Sequence, residues 1–193
     1  MKILDQIVDI LNTRLQTGTL ASGYFQNSDY NGIAYLTNPT DDSPRNPYIL
    51  DHGKAKDVIV NDRYDFSIYH RVLDVYFNPN SGFGDGNGMI SMVCNMYAVV
   101  YADQIKTNST AHDLALLVSS GLNYTLTQSD LGNSKILRVK ASVLRANLNG
   151  SQVFTGEYGN GGHNPMQITS AMIGVTYQLE INAHSSCLDC PTC

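Results

Sequence analysis

The order of its helical and extended patterns constrains this chain more than any single motif. An amphipathic helix comes first, over Lys2–Gln16; strands follow, then one short capped helix from Thr110, then strands to the end. Leu4, Ile7, Val8, Leu11 and Leu15 recur at i, i+3, i+4, i+7 and i+11, a single helical stripe with Asp5, Asp9, Asn12 and Arg14 largely off it. Gly18 supplies a stop. Thr110-Ala-His-Asp113 is a capping box: the Thr hydroxyl takes an amide proton of the first turn while Asp113 reaches back. Leu114, Leu117 and Val118 then form a stripe that Gly121 ends.

The extended segments read by their alternation. Phe66–Phe77 is a strand with Ile68, Val72 and Tyr76 on one side, and Val58–Val60 is a shorter candidate. Met89–Ala102 is apolar on both faces in places, which suits a central or inter-subunit strand. Leu137, Val139, Ala141 and Val143 alternate with Arg138, Lys140 and Ser142, the pattern of a half-buried strand. Asn149-Gly150 is a hairpin signal leading to an extended Val153–Tyr158. The cleanest strand, Ile168–Asn182, closes the chain with Ile173, Val175, Tyr177, Leu179 and Ile181 inward.

Residues 19–56 are dense in turn formers and read as loop with short extended pieces, an arm or an insertion that orders against a partner. Residues 81–88 read as a flexible connection between strands. The expected fold is therefore α+β: an antiparallel sheet, the N-terminal amphipathic helix and one short capped helix packed on it, and extended loops or arms. One domain spans 1–182, and 183–193 form a Cys-containing tail.

Composition narrows the function classes. Only 15% of the 193 residues are charged, against a usual share of about 25%. Twelve Tyr and many neutral hydrogen-bonding residues fill the surface instead, which suits protein contacts and equally sugar binding. The net charge is −5, so no basic nucleic-acid footprint is present. Asp5 and Asp9 interrupt any apolar run at the N-terminus, which excludes a signal peptide there. No segment reaches the roughly 18–20 apolar residues of a membrane helix. A cytoplasmic origin follows, and the sequons at Asn108, Asn123 and Asn149 are expected to be silent.

Catalytic signatures are sparse. The histidines are His52, His70, His112, His163 and His184, and no nucleophile-elbow pattern surrounds any of them. His112 reads as structural, and His70 as a surface or satisfied core residue. Asp41-Asp42 sits in a Pro-flanked loop and reads as a solvated turn. The Gly82–Gly88 run lacks the spaced carboxylates of a calcium loop and the Lys-Ser/Thr of a phosphate loop. Cys94 is a mid-strand core residue.

In the tail, His184, Cys187, Cys190 and Cys193 recur at every third position. They are candidate zinc ligands, although three successive steps crowd one tetrahedral ion. A disulfide and a free-thiol tail are the alternatives. No other cofactor, and no catalytic residue, is called for.

The N-terminal helix Ile3–Leu15, the strand pair Phe66–Phe77 and Met89–Ala102, the capped helix Thr110–Ser120 and the closing strand Ala171–Ile181 together resemble the tail-terminator and head–tail connector proteins of tailed bacteriophages. The resemblance covers most of the chain outside 19–56 and 145–165. It implies a structural virion protein, not an enzyme, assembled in the host cytoplasm. Such a subunit forms a closed homo-oligomeric ring of six or twelve copies, contacts neighbouring virion proteins, touches no membrane, and lets DNA pass its lumen without sequence-specific binding. The alternative is a β-rich carbohydrate- or protein-binding module of a surface or fibre assembly.

Overall fold

The computed structural model describes residues 2–17, 25–36, 46–58, 63–77, 89–103, 107–132, 136–159 and 170–184. In chain order the elements are helix α1 (Lys2–Thr17), strands β1 (Ser28–Ile33), β2 (Tyr35–Leu36), β3 (Pro47–Asp51), β4 (Lys54–Asp57), β5 (Phe66–Phe77) and β6 (Met89–Asp103), helix α2 (Ala111–Leu122), strand β7 (Tyr124–Thr127), helix α3 (Gln128–Leu131), strand β8 (Ile136–Asn147), helix α4 (Gly150–Tyr158) and strand β9 (Ser170–His184). The fold is α+β and mostly sheet. The main sheet has six strands in the order β1-β5-β6-β9-β8-β7, and β2-β3-β4 form a small second sheet. Only the β1–β5 pair of the main sheet is parallel, so the sheet is mixed.

The helical stripe of α1 is the seed of the core. Leu4, Ile7, Val8, Leu11 and Leu15 are all buried and pack with Leu114, Val118 and Leu122 of α2 over one face of the sheet. Cys94, Met96, Ala98, Val100 and Ala102 of β6, and Ile173, Val175, Tyr177, Leu179 and Ile181 of β9, supply that face. Long alternating strands suit this arrangement because successive side chains point to opposite faces. The expected placement of Met89–Ala102 at the centre of the sheet is what the strand order gives.

The opposite face is covered in part by α4 and the small sheet. Val99, Tyr69 and Met172 meet Val153, Ala34 and Val58 there. Gly174 belongs to this face: a Cβ on it would lie 1.7 Å from the Tyr97 hydroxyl, so only glycine lets that ring lie across the strand.

The capping box on α2 is present, with the Asp113 amide donating to the Thr110 hydroxyl. The helix runs through Gly121 instead of ending there. A Cβ at Gly121 would lie 2.3 Å from Leu15 Cδ2, so this glycine brings α2 against α1 rather than stopping a helix.

Three other expectations are corrected. Asn149-Gly150 is not a hairpin turn: the Asn149 side chain accepts from the Gln152 amide and N-caps α4, and Val153–Tyr158 is helical. Asn is as good a cap as a turn residue, and burial of Val153 selects the helix. Residues 27–32, dense in turn formers, are not simply a turn: β1 lies there, and the short extended pieces expected within 19–56 are β1 to β3 and the start of β4. In β1, Ser28–Tyr30 pair with Phe66–Ile68 despite turn-like composition, since main-chain pairing needs no apolar alternation. Leu137 does not face inward. The register is broken between Ile136 and Arg138, so Ile136 and Val139 fill the core and Leu137 is half-buried.

Residues 59–60 of the short strand candidate, the 81–88 connection and the Asp41-Asp42 loop lie outside the described residues.

Candidate functional site

Among the described residues, two buried polar centres and two sheet edges without a full strand partner are the features with chemistry or recognition to offer. The first centre lies under α1. His70 of β5 is wholly buried, with Nε2 2.8 Å from Asn12 Oδ1 and Nδ1 2.9 Å from the Tyr177 hydroxyl. The neutral tautomer with the proton on Nε2 satisfies both: Nε2–H donates to Asn12 and Tyr177 donates to Nδ1. Burial pushes the imidazole pKa down to about 3 and the Tyr177 hydroxyl well above its ordinary value. His70 is thus a satisfied core residue. Asn12, placed largely off the apolar stripe in the sequence, is buried as its partner.

The second centre lies under α4. Glu157 is buried, pairs through Oε1 with Arg71 Nη1, and accepts at Oε2 from the Tyr69 hydroxyl at 3.1 Å. The Tyr158 hydroxyl donates to the Val58 carbonyl at 3.2 Å. Burial, helped by Glu157, raises the Tyr97 hydroxyl, and burial, helped by Tyr158 and Glu157, lifts Tyr69 far above the ordinary phenol range. These groups hold α4 on the sheet. A neutral amide in place of Glu157 keeps the shape but loses the charge that satisfies Arg71. Glu157→Gln is therefore expected to cost about 2 kcal/mol, the scale of a hydrogen bond to a charged group. A urea midpoint equal to the parent's would show that the pair contributes nothing.

Both centres were missed in the sequence. Glu157 carried a weak signal as one of two glutamates in the chain; the joining of Asn12, His70 and Tyr177 carried none.

The edges differ from ordinary protected ones. β1 pairs with β5 only as far as His70, so no described strand pairs with the outer edge of Asp74–Phe77. β7 pairs with β8 only from Arg138 to Ala141, so no described strand pairs with the outer edge of Leu144–Asn147 either. Native edges are usually blunted by charge or by cover. Here Leu73, Val75 and Tyr76 are 46%, 46% and 45% exposed on the first half-edge, and Leu144 is 57% exposed on the second.

The side chains of His184, Cys187, Cys190 and Cys193 lie outside the described residues, and among those described no group of three or more His, Cys, Asp or Glu is placed to hold an ion. Cys94 is a buried free cysteine, as expected. His52 is exposed beside Asp51, and His112 is exposed while Asp113 does the capping. His163 lies outside the described residues. Among the described residues no helix is long and apolar enough to cross a membrane.

No protein-family model matches this chain, and no curated protein matches its sequence.

Proposed function

We propose that this chain is a structural virion protein of a tailed bacteriophage, a subunit that closes into a homo-oligomeric ring at the head–tail joint or tail. The observation that carries this reading is the pair of half-open sheet edges bearing exposed apolar side chains, because a ring subunit continues its contacts across two different surfaces. The resemblance of its element order to that of tail-terminator and connector proteins supports it. The net charge of −5 supports a lumen that DNA passes without being gripped. In this reading the protein acts by assembly and positioning, with neighbouring virion proteins and its own copies as partners.

Native mass spectrometry and negative-stain imaging test the proposal. A discrete closed ring of six or twelve copies is expected, formed by the protein alone or within its particle. A persistent monomer in both settings overturns it, and glycan binding by that monomer would favour the carbohydrate-binding alternative.

A further inference from the structure

The half-open edge of β5 has a definite geometry. β1 already occupies the first half of that edge, in parallel, from Phe66 to His70. Between Val72 and Asp74 the register with β6 shifts, leaving Leu73 out of the ladder. From Asp74 to Phe77 the pairing with β6 is regular again, which leaves four residues of ordered strand with one side paired and no described strand on the other.

At the far end of the sheet, β7 is four residues long and has no described strand on its outer side. The antiparallel pairings from β5 through β6, β9 and β8 to β7 make β7 run in the same direction as β5. The two also share rows. Tyr76 pairs with Val93, Val93 with Glu180, Glu180 with Lys140, and Lys140 with Thr125. Tyr76 and Thr125 therefore stand at one height on one face, at opposite ends of the sheet.

We propose that β7 of one copy adds in parallel to Val75–Phe77 of the next, with Tyr124, Thr125 and Leu126 level with Val75, Tyr76 and Phe77, continuing along β5 the parallel pairing that β1 begins. The occupant is a second copy of this chain, because a strand that fits in direction and row is the chain's own. The contact is head-to-tail, the kind that generates rings when the rotation closes, and it needs no slip along the strands.

This inference rests on the ring reading, and the test separates the two. Tyr76→Cys and Thr125→Cys are placed singly and together in a background with Cys187, Cys190 and Cys193 changed to Ser. Cross-strand neighbours at this spacing permit a disulfide. Under mild oxidation the double variant is expected to give a ladder of covalent oligomers, and each single variant to stay monomeric on a denaturing gel. Circular dichroism and melting confirm that all three fold as the parent does. Rings in native mass spectrometry without a ladder overturn this seat and leave the ring reading standing. A ladder from a single variant means a symmetric contact and also overturns the seat. Absence of any oligomer, in solution and in the particle, overturns both.

Discussion

Leu11→Asp is expected to abolish the cooperative fold. Leu11 is wholly buried on the stripe of α1, within the core cluster that joins this helix to α2 and the sheet. An unpaired carboxylate there costs several kcal/mol in desolvation, and the lost side chain removes a further 2–5 kcal/mol of transfer and packing, both order-of-magnitude figures for such sites. A domain of this size holds roughly 5–15 kcal/mol in total. The expected outcome is a variant without a thermal transition in circular dichroism, recovered as aggregate or as a protease-sensitive chain. A sharp transition near the parent's temperature would mean that the stripe is not buried in solution. The exposed change Asp9→Asn is the control, because Asp9 faces outward and is raised mainly by its own partial burial and then by Asp5.

The same residues show what a sequence discloses and what it withholds. α1 and the capped α2 were legible because their apolar positions repeat at helical spacing and a capping box marks one start. β6 and β9 were legible because each is long and apolar on a face that nothing interrupts. The irregular strands were legible only in outline. A register shift at Leu73 explains the imperfect alternation of β5, and shifts near Leu137 and Leu144 turn parts of β8 the other way. One inserted residue reverses every later side chain, and no local pattern announces it.

β1 and α4 were misread because their segments carry turn chemistry that serves equally as strand or cap once a neighbour is in place. The candidate interaction edges were not legible at all. Which strand ends lie open depends on the order β1-β5-β6-β9-β8-β7, and that order is a property of the assembled sheet. The exposed Val75 and Tyr76 look like core residues in a one-dimensional pattern; only the missing strand beside them gives them another meaning.

Stability should fall as the pH drops from about 6.5 towards 3, with His70 as a main cause. The unfolded imidazole titrates near its ordinary value of 6.5, while burial lowers the folded value to about 3. Between these values the unfolded chain binds a proton that the folded chain does not. Stability therefore rises with pH across that window and is fully present above it. The slope is about 1.4 kcal/mol per pH unit, so the whole interval amounts to about 5 kcal/mol, a large part of a marginal fold.

The cause is specific, because Asn12 and Tyr177 offer no charge to balance an imidazolium, and both hydrogen bonds need the neutral ring. Urea titrations at pH 7, 6 and 5 isolate it, since most carboxylates remain ionised there. His70→Gln keeps a donor for Asn12 and an acceptor for Tyr177 but removes the titration. That variant is expected to be less stable than the parent at pH 7, by about 1–2 kcal/mol for imperfect packing and geometry, and to lose most of the pH slope above 5. A parent whose midpoint is flat from pH 7 to 5, or a variant with the parent's slope, would show that His70 accepts its proton inside the fold and that the buried Asn12–His70–Tyr177 arrangement opens far more readily than its geometry indicates.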